Sequence, residues 1–336
     1  MSYCIKYFIE RILHKESNTV VKNAVEGIAK NQEPTVMRAV LDTLKLTEIF
    51  ICCEDFCKDF QSHCLQEGYE KEIKLGQMHE SERMTILIYY HHSGMKCFKY
   101  YYEQIIIKVL RSYWKKPYAY AAFVAQIPKV NLLLFAFLSA CRLATTQANY
   151  IDSTPLVVCQ NRRKQKHKTF KNIARTGKTS IGWFFGFKLH AIINQKGQLV
   201  VLRITTGNVA DNNGDLLQQL TQRLKGFLYG HKGYLTQLAD KLKARGLEII
   251  TKYRKKRGLQ PLSYKKSYYL RHRGLIETVF DCLKNLCDLD HTRHRSPINF
   301  LVDIWSALIA YTFFDQWPQV TPFRERIQKV PQIVSI

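Results

Sequence analysis

The sequence has few acidic residues for its length. Its 336 residues include 27 Asp and Glu against 51 Lys and Arg, which gives a formal net charge of +24. Such an excess indicates a polyanionic partner, because phosphate neutralisation and counterion release favour the binding of basic proteins to nucleic acid. A basic soluble enzyme without such a partner is the alternative, since charge bears on partners and not on the fold.

The sequence also lacks a long apolar run and a secretion signal. The apolar runs Leu132–Leu138 and Ile304–Phe314 are much shorter than the ~20 residues that a membrane helix needs. The N-terminal residues include Glu10 and Glu16 and no small-residue cleavage site, a pattern unlike that of a signal peptide. We therefore expect a cytoplasmic protein without a membrane partner.

Paired-cysteine knuckles are absent as well. Cys52, Cys53, Cys57 and Cys64 lie close together, but their spacing lacks the two pairs that a structural zinc site uses. On a helix, three of them share one stripe with phenylalanines. Because buried cysteine usually behaves as a small hydrophobe, the pattern favours core packing over zinc binding.

The residues that are present divide the chain in two. Up to about residue 148 the periodicity is helical, with Gly and Pro between short helices. From Tyr150 onward three β-rich runs follow, at 149–159, 180–194 and 199–208, with a turn at Gly197. Predicted after them are a helix at 215–224, a strand at 227–229, a helix at 236–245, a strand at 247–252 and a helix at 267–287. This order predicts a mixed α+β fold, in which helices flank a mixed sheet and an all-α region precedes it.

Two basic stretches contain no acidic residue. The first runs from Arg162 to Lys178 and includes Arg163 and Lys164, and the second runs from Lys252 to Arg273. Most charge runs are solvated surfaces, but tyrosines interleave with the second stretch. Basic residues interleaved with aromatic residues favour nucleic-acid binding.

Two acidic residues stand out by their context. Asp152 lies in an apolar strand, where a carboxylate is costly unless it is paired or binds a metal. Glu277 lies beside the apolar arc of the last helix, with Arg273 and Lys284 within about 40° of it. The alternative for Glu277 is a surface ion pair with Arg273 at i,i+4.

Five motifs, taken in order, resemble the DDE transposases of bacterial insertion sequences. They read IDSTPLVVC, GKTSIGWFFGFKLHAIIN, TTGNVADN, GHKGYL, and RGLIETVFDCLKN followed by HTRHRS. The resemblance covers about residues 46 to 320 and implies an RNase H-like catalytic domain that cuts element ends and transfers strands. In the family's signature Tyr-x2-Arg-x3-Glu-x6-Lys, Leu270 replaces the tyrosine, while Arg273, Glu277 and Lys284 match.

The resemblance also implies the catalytic residues. Asp152 and Glu277 match the first and third metal ligands, with Mg²⁺ as the expected cofactor, and we expect their side chains close together at one sheet edge. His231 stands where the family has its second metal-binding aspartate, in G-D-K-G-Y. Imidazole brings no negative charge and suits softer metals than magnesium, which takes oxygen ligands. Three accounts remain open: a decayed site, substitution by Asp211 or Asp215, or Mn²⁺ binding by His231 with weak activity.

The resemblance further implies the partners and the division of the chain. Predicted DNA contacts are Arg273, Lys284, Lys232, Arg162, Arg163 and Lys164. The expected partners are double-stranded DNA, as terminal inverted repeats and target, and further copies of the chain on nucleoid DNA.

The predicted segments are an atypical leader (1–45), a helical region expected to bind DNA (46–148), the catalytic domain (149–320) and a tail (321–336). One alternative is a transposase relic that binds DNA without cutting it. The other is an unrelated basic RNA-binding protein, which the lack of an RNP aromatic motif disfavours.

Overall fold

The N-terminal region is helical, as predicted. The structure, a computed structural model, describes residues 42–66, 77–142, 145–179, 182–234, 238–252, 262–290 and 294–323. Its first helices are α1 (Thr43–Gln66), α2 (Glu80–His92), α3 (Phe98–Tyr100), α4 (Tyr120–Gln126) and α5 (Asn131–Cys141). A π-helix (Tyr101–Val109) continues α3, and 3-10 turns lie at Arg111–Tyr113 and Ile127–Val130. The helix α1 begins before residue 46, so the predicted boundary after residue 45 falls inside a helix.

Six strands form one mixed sheet. They are β1 (Ala148–Cys159), β2 (Arg175–Lys178), β3 (Trp183–Asn194), β4 (Leu199–Thr206), β5 (Gly226–Tyr229) and β6 (Leu247–Ile250). The spatial order is β2-β3-β1-β5-β6, and β4 also pairs with β3. The strand β3 runs antiparallel to β1, β2 and β4, whereas β5 runs parallel to β1 and β6. The predicted class, a mixed α+β fold in which helices flank a mixed sheet and an all-α region precedes it, is confirmed.

Helices connect and cover the parallel half of the sheet. They are α6 (Gly214–Thr221), α7 (Ala239–Ala244), α8 (Tyr264–Arg271), α9 (Leu275–Asp281) and α10 (Pro297–Thr312). Shorter turns are Asn161–Lys166, Lys232–Tyr234 and His272–Gly274, all 3-10, and the π-helix Cys282–Leu286. The helix α7 lies between β5 and β6, as a parallel pair requires a crossover connection.

Two predicted elements differ in detail. A 3-10 turn and the strand β2 come between β1 and β3, and β2 was not predicted because its residues, Arg-Thr-Gly-Lys, lack an apolar alternation. The predicted helix 267–287 is interrupted by the 3-10 turn at His272–Gly274. Gly274 is the weakest helix former in this segment, which explains why the break falls there.

One hydrophobic core joins the N-terminal helices to the sheet. The helix α10 packs against α2 and α5, and its Phe300 ring lies 5.2 Å from Phe170 and 5.5 Å from Phe187 in the sheet region. A polar link adds to this packing, since His91 Nε2 of α2 lies 3.3 Å from Asp303 Oδ1 of α10. The helical region therefore does not have a core separate from the sheet.

The cysteines of α1 lie in this core. Cys53 is fully buried, Cys57 is 7% exposed, and Cys57 Sγ lies 3.8 Å from Met84 Sδ. Burial raises the pKa of the Cys57 thiol to about 12. Cys53 and Cys57 therefore pack as small side chains of the hydrophobic core.

The helices α4 and α5 form one apolar stretch with the turn between them. Tyr120–Cys141 spans 22 residues with a mean hydropathy of 1.7, and 33% of its apolar window is buried. The expectation of short apolar runs is wrong here, because the helix continues through Pro128 and Lys129, where Pro occupies the first turn of a 3-10 segment. Length and composition alone would let this stretch cross a membrane, but core helices of soluble proteins satisfy the same criterion.

Candidate active site

Asp152 lies where β1 leaves its parallel partner. The strand β1 pairs with β5 through Tyr150, opposite Tyr229, so two residues further along each chain Asp152 and His231 lie side by side. The Asp152 side chain is 15% exposed, and its Oδ1 accepts a hydrogen bond of 2.8 Å from the Ser153 amide. The proximity of Asp152 to His231, in the motif GHKGYL, is thus a consequence of strand register.

His231 contacts two carboxylates. Its Nε2 lies 3.4 Å from Asp152 Oδ1 and 3.7 Å from Asp211 Oδ2. The Gly233 amide donates a 2.8 Å hydrogen bond to Nδ1, so the neutral ring carries its proton on Nε2, facing the carboxylates. The ring packs 4.8 Å from the ring of Tyr234, which is 1% exposed.

Asp211 is the second carboxylate of the cluster. It follows β4, and its Oδ1 accepts a 2.8 Å hydrogen bond from the Ser153 hydroxyl and lies 3.3 Å from Lys188 Nζ. Lys188 also donates to the Val209 carbonyl at 3.0 Å. Of the two substitutes considered for the second position, the structure brings Asp211 to Asp152 and His231, whereas Asp215 is exposed in the first turn of α6.

The cluster shifts the pKa values of its members in opposite directions. Hydrogen bonding to Asp152 and Asp211 raises the pKa of His231 to about 9. Burial by itself raises the pKa of Asp211, but His231, Ser153 and Lys188 outweigh it and hold that pKa well below its usual range. Burial lowers the pKa of His190 to about 4; this fully buried residue bonds Thr205 through Nε2 at 2.9 Å.

The charge balance of this cluster does not fit a pair of magnesium ions. Two carboxylates face two cationic groups, Lys188 and His231, so the described cluster is close to neutral. Two divalent ions about 4 Å apart need several anionic oxygens, and here Asp211 already bonds one hydroxyl and lies near two cations. The resemblance to DDE transposases implies a site for divalent metal ions, and this neutrality does not fit that expectation.

Glu277 and its neighbours lie on an exposed helix face. The helix α9 packs against β1, but the Glu277 side chain is 60% exposed and lies 3.4 Å from Arg273. Within the described residues, no polar contact joins Glu277 to Asp152 or His231. Lys284 Nζ lies 3.1 Å from Asp290. The metal and DNA roles of these residues stay predictions, and the surface ion pair with Arg273 is present.

The other predicted DNA contacts are exposed. Arg162, Arg163 and Lys164 lie on the 3-10 turn after β1, and Lys232 lies on the turn after His231. A cleft of about 500 Å³ opens beside Asp211, and its lining includes Lys188, Gly207 and Trp183. Residues 253–261, which contain part of the second basic stretch, lie outside the described residues.

Three residues of the cluster were not predicted: Ser153, Lys188 and His190. Their cross-strand register, Ser153 with His190 and Pro155 with Lys188, puts them on one face of the sheet. A signal was available, because Lys188 and His190 alternate within the otherwise apolar run FFGFKLHAII, where an unpaired polar side chain would be costly. Their partner Asp211 could not be identified from that pattern, because it lies more than 20 residues further along the chain.

Residues 142–297 match the family model described as "Transposase DDE domain". No curated protein matches the chain significantly. Among solved structures, one similar chain is that of the "Crystal structure of the Mos1 Strand Transfer Complex", with 12% identity, coverage of 93% of this chain and 97% of that chain, and a TM-score of 0.22.

Proposed function

We propose that this chain is an insertion-sequence transposase that binds element-end DNA but is impaired in cutting it. The premise is that residues 142–297 belong to the transposase DDE domain family. The observation that carries the proposal is the position of His231. Its Nε2 lies between Asp152 and Asp211, at the place where the family has a metal-binding aspartate.

The impairment follows from charge. A third carboxylate at residue 231 would join two others and attract divalent cations, whereas imidazole adds no negative charge and protonated imidazole adds a positive one. Lys188 offsets one carboxylate, and a cationic His231 offsets the other. The site therefore loses the negative charge that divalent ions require.

DNA binding does not depend on that cluster. The net charge is +24, and the exposed residues Arg162, Arg163 and Lys164 lie on the turn after β1, while the exposed Lys232 follows His231. Lysine and arginine on such turns neutralise DNA phosphates whether or not a strand is cut. We infer that Arg273 and Lys284 add phosphate contacts on the α9 side, and that further copies of the chain assemble on the same DNA.

Replacing His231 by aspartate tests the proposal. The H231D variant should gain magnesium-dependent cleavage of a labelled element-end fragment, because a third carboxylate restores the missing negative charge. The unaltered protein should be nearly inert in magnesium, and any residual activity should prefer manganese, which imidazole binds more readily. The double variant H231D/D152N serves as the inactive control.

Other outcomes would contradict parts of this account. Full magnesium activity in the unaltered protein would show that Asp211 already serves as the second carboxylate, and the variant D211N should then be inactive. If neither protein cuts while both bind element ends, the single-residue explanation fails and the chain is a relic with several lesions. Preferential binding of RNA over DNA would favour an RNA-binding protein instead.

A further inference from the structure

Trp183 is exposed without a structural reason. The four tryptophans all lie within the described residues; Trp183 is 62% exposed, whereas Trp114 is 3% exposed and Trp305 and Trp317 are partly buried. The residue begins β3 and lines the rim of the cleft beside Asp211. An exposed indole next to a cleft indicates a binding surface rather than a packing role.

One cation lies over this indole, and a basic turn is bonded to its backbone. Lys178 is the cross-strand partner of Trp183 in the β2–β3 pair, and Lys178 Nζ lies 5.5 Å from the ring centroid. The Asn161 side-chain amide donates a hydrogen bond to the Trp183 carbonyl oxygen, which joins the basic 3-10 turn to the start of β3. The exposed residues Arg162, Arg163 and Lys164 of that turn therefore follow directly after the residue that bonds to Trp183.

The cleft under Trp183 has a floor of bare backbone. A Cβ on Gly177 would lie 2.1 Å from the Gly207 carbonyl oxygen, and one on Gly207 would lie 2.7 Å from the Arg175 carbonyl oxygen. The two chain segments can approach this closely only as glycine. The resulting cleft of about 500 Å³ extends to Asp211 and Gly233, within the range of sizes, roughly 300–1,000 Å³, that small ligands occupy.

We propose that Trp183 is a stacking platform for an unpaired base of DNA. Lys178 and the basic turn Asn161–Lys166 would bind the phosphates of the same strand, and the cleft would take the base toward the candidate active site. An aromatic face combined with basic side chains suits single strands of any sequence, because every base has a stacking face. The inference rests on the proposed function, since it takes DNA to be the ligand.

The geometry favours an unpaired base over an intact duplex. Inside a duplex both faces of each base are covered by neighbouring bases, so an indole can stack only after the base has left the helix. That step costs energy, and the cost is smallest where the base is already unpaired. The protein should therefore prefer DNA with a frayed or single-stranded end over the same DNA with a blunt end.

Two DNA probes and three variants test this inference. The probes are a blunt duplex and the same duplex with a short thymidine overhang, and the variants are Trp183→Ala, Trp183→Phe and, as control, Phe135→Ala. Phe135 is an aromatic residue that is 49% exposed on α5, away from the cleft. Trp183→Ala should weaken overhang binding roughly tenfold or more and leave blunt-duplex binding within about twofold, whereas Trp183→Phe and the control should keep the overhang preference.

Tryptophan fluorescence gives a second measurement that does not depend on the alanine variant. Overhang DNA should quench the emission of the unaltered protein more than that of Trp183→Phe, which keeps the other three tryptophans. Equal quenching of both proteins, or equal affinity losses for both probes in Trp183→Ala, would overturn the stacking platform. Normal blunt-duplex binding in that case would leave the proposed function intact, whereas failure to bind either probe would overturn both proposals.

Discussion

At the residue scale, the His231 imidazole can occupy its position only because residue 233 is glycine. A Cβ at Gly233 would lie 2.2 Å from His231 Cε1 and 2.7 Å from Nδ1, and the Gly233 amide is also the donor to Nδ1. Glycine at 233 therefore allows the imidazole to lie between Asp152 and Asp211. The family resemblance already places a glycine here, so the histidine uses space that the motif provides.

Replacing Gly233 by alanine should displace the imidazole. Because the ring must move away from the new methyl group, its contacts with both carboxylates should weaken and the pKa of His231 should fall from about 9 toward the ordinary value near 6.5. Titration of the histidine ring protons by NMR measures this shift. A pKa that stays near its original value would mean that the ring turns in place and keeps its partners. Gly230→Ala is not a suitable control, since its Cβ would meet Tyr234; Gly274→Ala is preferable, because its φ is −60° and its Cβ would meet no atom within 4 Å.

At the scale of elements, α10 determines how the two regions are held together. The apolar side chains of this C-terminal helix are buried among α2, α5 and the sheet, and Asp303 on its other side lies near both His91 and His294. Burial by itself raises the pKa of Asp303, but the two imidazoles outweigh it and hold that pKa below its usual range. The helix therefore contributes both apolar packing and a polar contact, Asp303 with His91, to the contact with the N-terminal region.

Truncating a buried side chain of α10 should destabilise both regions together. Leu308 is fully buried, so Leu308→Ala should lower the free energy of unfolding by about 2–5 kcal/mol. Ile298→Ala on the same helix, where Ile298 is 46% exposed, should cost much less. Denaturant titration followed by far-UV circular dichroism and by tryptophan fluorescence should give coincident transitions. Separate transitions would show that the helical region unfolds independently of the sheet.

At the scale of the whole molecule, charge governs the choice of partner. Exposed basic residues flank the cleft on the turns after β1 and β5, whereas the candidate site itself is close to neutral. Under the proposed function, phosphate binding and strand cleavage would therefore depend on different residues. A substitution in the neutral site could then abolish strand cleavage and leave DNA binding intact.

DNA affinity should fall steeply as salt rises. Each phosphate neutralised changes the slope of log K against log salt by about 0.9, so alanine at Arg162, Arg163 and Lys164 together should reduce the slope by up to about 2.7. Lys58→Ala is the matched control, because the Lys58 ammonium already pairs with Glu54 at 3.2 Å. Fluorescence anisotropy on labelled duplex at several salt concentrations gives the slopes. A slope near zero in the unaltered protein would contradict phosphate binding.

Stability should be highest near pH 6.5. The pKa of His190 is lowered to about 4, so its contribution is present above 6.5 and is lost as pH falls toward 4, about 3 kcal/mol in total. The pKa of His231 is raised to about 9, so its contribution is present below 6.5 and is lost as pH rises through 9. Its side chain is 33% exposed and protonation costs the Gly233 hydrogen bond, which reduces that contribution to about 1–2 kcal/mol.

Glutamine variants test the acid side and the alkaline side of this pH–stability profile separately. His190→Gln should flatten the acid side and His231→Gln the alkaline side of a plot of unfolding free energy against pH, measured by denaturant titration. If His231→Gln leaves the alkaline side unchanged, the contacts of His231 with Asp152 and Asp211 do not stabilise the folded protein.

The sequence by itself determined the fold class and the order of most elements, and it singled out Asp152, His231 and Glu277 as candidate site residues. Apolar alternation, glycine turns and helical periodicity are local properties, so they are visible in the chain without coordinates. They failed at β2 and at Gly274, where four residues without alternation form a strand and one weak helix former interrupts a helix.

Only the tertiary structure decided what His231 touches. Asp152, Asp211 and His231 come from three different strands or their ends. Parallel pairing of β1 with β5 brings Asp152 beside His231, and the antiparallel pairing of β3 with β1 and β4 brings Asp211 to them. It also decided that Lys188 neutralises Asp211 and that Glu277 projects into solvent beside Arg273. These contacts depend on strand register and on helix rotation, which are set by the packing of the whole chain and are not encoded in any one segment.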